Sequence, residues 1–583
     1  MSLFHSKTVA DELIERLVEA GVERIYGIVG DSLNPVSEAI RRSGKIKWVH
    51  VRHEEAAAFA ASAEAQLSGK LAVCAGSSGP GSLHLLNGLY DAHRAAAPVL
   101  AIVSHIPSTE IGTNYFQETH PDRLFQECSH YCELISNANQ MPRVLQIAMQ
   151  NAVSLGGVGV IVLPGDIAAE KLPDETLAHA VVSNRPTVRP NAESLDKLAQ
   201  LISEAEKITL FCGAGCADAH DEVVRLAETL LSPIGYAYRG KQFVEYDNPY
   251  AVGMSGLLGY GAAYEAMHEC DLLIMLGTDF PYPNFYPSEC RIAQVDIRPE
   301  HLGRRARIDL GIVGDVRETL NELQPILQPK TDRAFLDRIL ETHREKMENT
   351  EIYVRHVSEN ELIHPELVAT KINELADDDA VITCDTGMCN VWMARHIKAT
   401  RKRSLLASYS HGSMTNAVPY AVGAQFLYPG RQVVSMSGDG GFAMLLGELL
   451  TVLQYELPVK IVVFNNSSLA FVNLEMEVAG YKGYETDLIN PNFGEVAKAI
   501  GLYGVRIENP GDVESGLREA FAYKGAAVID VVTDPNALSL PPHITAKQVE
   551  GYAVTMGKLI LSGEVDEIAK KVRSNIRHVK EII

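Results

Sequence analysis

Short, wholly apolar runs rich in Val, Ile and Leu recur along this chain, each followed by a stretch of helical spacing. "RIYGIV", "KLAVCAG", "APVLAIVS" and "GVGVIVLPG" lie in the first third and "KITLFCGAG", "DLLIMLGT" and "CRIAQVDI" in the middle. "DAVITCDTG", "RQVVSMSGDG", "KIVVFNN" and "GAAVIDVVT" complete the series. A strand with one face in water alternates apolar and polar residues. These runs do not alternate, so both faces must be covered, and the intervening helices supply the cover. The pattern predicts α/β architecture with parallel, doubly wound sheets. With 583 residues, the chain is too long for one core.

Three domains and a tail are expected. "HAVVSNRPTVRPNAESL" reads as a linker before a new helix, and the charged stretch from Pro325 to about Pro365 reads as a helical connector without a strand. The expected divisions are 1–182, 183–345 and 346–540, with a tail over 541–583. A net charge of −22 would repel phosphate and excludes general nucleic-acid binding. The nine cysteines are odd in number and contain no C-x-x-C pair. They read as reduced, buried thiols of a cytosolic protein rather than zinc ligands. The N-terminal stretch reads as an amphipathic helix rather than a signal peptide, and no apolar run is long enough to span a bilayer.

The stretch "RQVVSMSGDGG" leads from a strand into a glycine turn. Helical spacing follows over "FAMLLGELLTVLQYE", Pro458 breaks it, and "VKIVVFNN" is the next strand. In such a βαβ unit both strands end at the same sheet edge, so Asp439 and Asn466 meet there. A carboxylate, an amide oxygen and a backbone carbonyl suit Mg²⁺, which fills its remaining positions with phosphate oxygens and water. Gly438, Gly440 and Gly441 let backbone N–H groups approach a phosphate at the start of a helix. GDG alone would be an ordinary capped turn; with Asn466 one strand later it points to a magnesium diphosphate.

GDG followed after about two dozen residues by Asn resembles the cofactor motif of thiamine diphosphate (ThDP) enzymes. The resemblance implies that Asp439, Asn466 and the Ser468 carbonyl ligate Mg²⁺. "VHVRHEEAAAFAASAEAQLSG" resembles the family's glutamate junction. It implies that Glu54 holds the aminopyrimidine N1′, while Glu55 serves as a first-turn charge of the following helix. "HGSMTNAVP" implies that Gly412 offers its carbonyl to the 4′-amino group and that Met414 wedges under the cofactor. "CDTGMCN" brings Thr386, Gly387 and Met388 to the diphosphate.

The middle third resembles the FAD-binding domain of pyruvate oxidases. Gly213, Gly215, Arg239, Gly253, Gly277, Thr278, Asp296 and Asp315 are the implied flavin contacts, although some relatives bind no flavin there. Through "YGIVGDSLNP", "YFQETHPDRLFQECSHYCELIS", "RGKQFVEYDNPY" and "VVFNNSSLAFVNLEM" the chain resembles the quinone-reducing branch of that family. This implies oxidative decarboxylation of pyruvate to acetate and CO₂ through hydroxyethyl-ThDP, with electrons passing through FAD to a membrane quinone. Phe116, Gln117, Phe471, Glu475 and His84 match pocket positions, with Phe116 also readable as a core residue. A phosphate-dependent pyruvate oxidase making acetyl phosphate and H₂O₂ would share these motifs, as would acetolactate synthase. The family assembles its site between subunits, so at least a homodimer, commonly a homotetramer, is implied.

In the tail, Val565, Ile568, Val572, Ile576, Val579 and Ile583 form one apolar stripe, with Lys570, Lys571, Arg573, Arg577 and Lys580 around it. Such a helix suits a membrane interface or packing on its own subunit. The expected location is the cytoplasm, peripherally at the inner face of the cell membrane.

Overall fold

The computed structural model describes residues 7–172, 181, 187–350, 352–355, 361–537, 552–556, 558–559 and 565–579. Three sheets carry the chain, each with its own buried core. The first contains β1 (Arg24–Gly27), β2 (Lys47–His50), β3 (Ala72–Gly76), β4 (Val99–His105), β5 (Tyr131–Leu134) and β6 (Val158–Pro164), in the order β2-β1-β3-β4-β6-β5. The second contains β7 (Ile208–Cys212), β8 (Ile234–Tyr236), β9 (Ala251–Met254), β10 (Tyr260–Gly261), β11 (Leu272–Leu276), β12 (Arg291–Asp296) and β13 (Leu310–Val313), ordered β10-β9-β8-β7-β11-β12-β13. The third contains β14 (Val381–Cys384), β15 (Ser404–Ala407), β16 (Val433–Gly438), β17 (Lys460–Asn465), β18 (Tyr503–Ile507) and β19 (Ala527–Val532), ordered β15-β14-β16-β17-β19-β18. The doubly wound α/β reading holds, and among the described strand pairs only β9–β10 is antiparallel.

All the apolar runs are strands. The strands without such a run include every sheet edge: β2, β5, β10, β13, β15 and β18. An edge strand has a neighbour on one side only, and β2 and β5 are accordingly half-exposed and carry charge.

The structure adds detail to three expectations. "FAMLLGELLTVLQYE" is not one helix: a helix over Asp439–Met444 gives way to a 3₁₀ turn at Leu446–Glu448 and a second helix at Leu449–Gln454. The division at 345/346 falls inside a continuous helix, Ala334–Thr350, while the divisions at 182/183 and 540/541 lie outside the described residues. The tail helix, Val565–Val579, buries polar side chains among its described residues. Lys571 and Asn575, one turn apart, are buried, while Val572 is 51% exposed. Lys571 pairs with buried Glu477, and Ser574 Oγ donates to Asp534 Oδ2 at 2.5 Å. Ile583 lies outside the described residues.

The first and third domains meet helix against helix. The Ala-rich helix Glu54–Ser68 is buried along most of its length and packs on Ala417–Leu427. Small side chains allow the close approach. A Cβ at Gly423 would stand 2.2 Å from the Ala60 carbonyl oxygen. Beside this contact Asp91 accepts Ser408 Oγ at 2.6 Å and the Tyr420 hydroxyl. Gly423→Ala should therefore overpack the junction and cost about 1–3 kcal/mol. An unchanged denaturant midpoint would show that the two helices are not in this contact.

Candidate active site

The C-terminal edge of the third sheet gathers four loops. Gly438 is the last residue of β16 and pairs in register with Phe464 of β17, so Asp439 and the 465–468 turn are neighbours. Asp439 opens its helix and is 3% exposed. Its carboxylate accepts the N–H of Gly440 at 2.9 Å, the N–H of Ser467 at 2.6 Å and Asn490 Nδ2 at 2.8 Å. Burial outweighs these donors and pushes the carboxyl up to about 6. A carboxylate held this dry is stabilised by a cation.

The two asparagines divide the work. Asn465 points into the core, donating to Asp530 Oδ1 at 2.9 Å, while Asn466 Oδ1 accepts the Ser468 N–H at 3.0 Å beside the cleft. Asn490 donates to both Asp439 and Asn465, at 2.8 and 3.0 Å. It was not identified from sequence because it lies on a separate loop with no local motif.

One cleft is lined by Thr386, Gly387, Met388, Met414, Gly438, Asp439, Gly440, Gly441, Asn466, Ser468 and Phe471. Gly412, with φ +72°, sits in the same 411–414 turn as Met414. Beneath the cleft lies Asp385, also not identified from sequence. It is fully buried, which pushes its carboxyl up to about 7, and its Oδ1 accepts the Ala417 N–H at 2.9 Å. It thereby anchors the loop that carries Met414.

These residues fit a magnesium diphosphate. The donor set is hard oxygen, glycines keep the backbone open at the helix start, and Thr386 Oγ1 is buried without a hydrogen-bond partner.

Glu54 occupies a different place. It is the first residue of its helix rather than the residue before it, and it is 5% exposed. Its Oε2 lies 2.9 Å from His84 Nδ1. The His84 ring stacks on His53 at 4.3 Å. His53 caps the helix, its Nδ1 accepting the Glu55 N–H at 3.2 Å. Glu55 is more than a first-turn charge, because its Oε1 accepts Asn87 Nδ2 at 2.7 Å, and Asn87 also donates to Ser413 Oγ at 2.9 Å. Among the described residues, those lining the cleft around Asp439 run from Pro365 to Ala537 and include neither Glu54 nor His84.

Gln117 adopts φ +63° and accepts Ser78 Oγ at 3.1 Å. Phe116, beside it, is 78% exposed, which corrects its reading as a core residue. Phe471 and Glu475 lie on the helix Ala470–Val478, which leaves the cleft. Burial, joined by the Glu475 charge, pushes the Tyr282 hydroxyl up.

In the middle domain Gly213, Gly215 and Gly277 meet at the switch point between β7 and β11. A Cβ at Gly213 would stand 2.5 Å from the Gly277 oxygen, and one at Gly215 2.6 Å from the Gly277 Cα. Thr278 and Asp296 are buried at the same edge. Ser255, in the loop after β9, has a buried hydroxyl without a partner. This edge fits a dinucleotide. Three expected contacts are committed elsewhere. Arg239 Nη2 donates to the Ala95 carbonyl at 2.5 Å, Asp315 caps the helix Val316–Leu323, and Gly253 serves the β9–β10 turn, where a Cβ would meet the Tyr260 oxygen at 2.3 Å.

All nine cysteines are free thiols, as expected. No helix among the described residues is long and apolar enough to cross a membrane.

Residues 7–124, 195–323 and 385–531 match, in turn, the N-terminal TPP binding domain, the central domain and the C-terminal TPP binding domain of thiamine pyrophosphate enzymes, this being a second name for ThDP. The chain is 35% identical over 569 residues to a Bacillus subtilis protein named as thiamine pyrophosphate-containing, YdaP, covering 97% of this chain and 99% of that one. It is 29% identical to the pyruvate oxidase of Lactiplantibacillus plantarum over 86% of this chain and 84% of that enzyme. It is 31% identical to the acetolactate synthase of Mycobacterium bovis over 92% and 89%. With a diphosphate-type cleft, a buried glutamate and all three domains in order, the chain belongs to the thiamine diphosphate-dependent enzyme family.

Proposed function

We propose that this protein oxidatively decarboxylates pyruvate to acetate and CO₂, passing electrons through FAD to a membrane quinone. The observation that carries the reading is the presence in one chain of a diphosphate-type cleft and of a middle-domain sheet edge where Gly213, Gly215 and Gly277 meet as at a dinucleotide site. Passing electrons from one cofactor to the next needs both sites. The pyruvate oxidase relative supports the substrate.

Bound ThDP supplies an electron sink for the carbon that loses CO₂. Asp439, Asn466 and the Ser468 carbonyl would hold Mg²⁺. Thr386, Gly387, Met388, Gly438, Gly440 and Gly441 would hold the diphosphate, and Thr386 Oγ1 would find a partner there. Gly412 and Met414 would position the ring system. Glu54 would turn from His84 to the pyrimidine N1′ and hold or move a proton there. Phe471, Glu475, Phe116 and Gln117 shape the substrate pocket and exclude water.

Because Glu54 and the Asp439 cleft are separate within a chain, a second copy completes each site. The exposed Phe116, Tyr481 and Tyr484 are apolar surface for that contact. Gly213, Gly215, Gly277, Thr278 and Asp296 carry the flavin. The tail helix keeps Val572 outward beside exposed Lys570 and Arg573, which suits contact with anionic lipid at the inner membrane face.

Anaerobic pyruvate should bleach the flavin, and a quinone analogue should reoxidise it without phosphate, leaving acetate. Acetyl phosphate formed only with phosphate would favour the phosphate-dependent oxidase. Acetolactate without bleaching would favour the synthase. Glu54→Gln should retain cofactor but lower decarboxylation about 10²–10⁴-fold; near-normal turnover would remove Glu54 from the mechanism. Asp439→Ala should lose Mg²⁺-dependent ThDP affinity in calorimetry while flavin stays bound. Deleting residues 564–583 should abolish pyruvate-dependent sedimentation with anionic vesicles but spare dye reduction; equal vesicle binding by both forms would exclude the tail as anchor.

A further inference from the structure

We propose that Glu448 is a positioning residue for Glu54: a third-domain carboxylate that fixes the main chain from which the Glu54 helix starts. The inference rests on the reading of Glu54 above. Glu448 ends the 3₁₀ turn that interrupts the helical stretch after the GDG motif, and it is 1% exposed. Its Oε1 accepts two consecutive backbone N–H groups, those of Arg52 and His53, both at 2.9 Å. Its Oε2 accepts Thr451 Oγ1 at 2.7 Å. Arg52 and His53 lie between the end of β2 and the helix. They have left the sheet ladder, and their N–H groups need another acceptor.

The same short segment is held at two further points. The Tyr455 hydroxyl accepts the His50 N–H at 2.7 Å, and Gln454 Oε1 accepts Arg52 Nη2 at 2.7 Å. Residues 50–53 are thus bound by 448, 454 and 455 of the third domain. From His53 the constraint passes directly onward. His53 caps the helix through Glu55 N–H, its ring stacks on His84, and His84 faces Glu54 at 2.9 Å. A shift of the 52–53 backbone would move the cap, the stacked ring and the first helical residue together. Burial pushes the Glu448 carboxyl up, so its placement carries a cost that its three donors only partly offset. An apolar residue would pack this position without that cost but would leave two N–H groups unpaired.

The test compares Glu448→Ala, Glu448→Gln and Glu448→Asp with Glu54→Gln in the ThDP- and Mg²⁺-loaded protein. Two quantities are read: the rate of deuterium exchange at the thiazolium C2, which reports the proton function of Glu54, and ThDP affinity by calorimetry. Glu448→Ala should slow exchange about ten- to hundredfold, as expected for a misplaced proton-transfer group, while affinity changes far less. Glu448→Gln keeps an oxygen that accepts both N–H groups and should restore exchange to near the wild-type rate. Glu448→Asp withdraws the acceptor by one methylene and should be slow, which keeps the comparison informative if the alanine variant does not fold. Wild-type exchange in Glu448→Ala or Glu448→Asp would overturn the inference, as would a Gln variant slower than Asp. Slow exchange in Glu54→Gln beside normal exchange in Glu448→Ala would sink this inference alone. Normal exchange in Glu54→Gln would overturn both readings.

Discussion

A parallel sheet delivers every strand to the same edge, and this constraint places the chemistry of the molecule. In the third sheet β14 delivers Asp385 to Met388, β15 the 411–414 turn, β16 Asp439 and β17 Asn466. No long-range folding code is needed to bring them together; parallel pairing and short loops suffice. The first sheet has the same strand order as the third, with β1 to β6 in the places of β14 to β19. Glu54, after β2, therefore stands on its sheet where the Met414 loop stands after β15. If the site is shared as proposed, the chain carries two half-sites built on one plan.

The two halves differ in electrostatics. The Asp439 carboxylate is buried among neutral donors, and burial wins. Thr386 Oγ1 beside it lacks a partner. Both features favour a cation and an anion bound together there. Glu54, by contrast, has His84 as a ready partner and sits in the first turn of a helix, where the dipole favours a negative charge. The first half suits a bound cation and anion; in the proposed function the second would give up its His84 partner for the cofactor ring.

Much of this was legible in the sequence, for identifiable reasons. Central parallel strands are apolar throughout, so they stand out; edge strands such as β2 and β5 are mixed in character and do not. The GDG turn and Asn466 are legible because a metal needs particular atoms at a spacing set by one crossover. Asn490, Asp385 and Glu448 act through partners 51, 32 and 396 residues away, and no local pattern records that. Arg239 and Asp315 have the chemistry of ligand contacts but are used by a carbonyl and a helix cap. The tail shows the limit of periodicity. Its apolar stripe is real, yet Val572 in that stripe is exposed, while Lys571, paired with Glu477, and Asn575 are buried.

If each site is shared between two copies, defects in the two halves should complement. The direct measurement is pyruvate decarboxylation by a co-expressed mixture of Glu54→Gln and Asp439→Ala chains, each inactive alone. A mixed dimer then holds one site with both defects and one with neither, so random pairing should restore about a quarter of the sites. Recovered activity of that order is the expected result. No recovery, with mixed dimers demonstrably formed, would place Glu54 and Asp439 in the same chain's site and contradict the account.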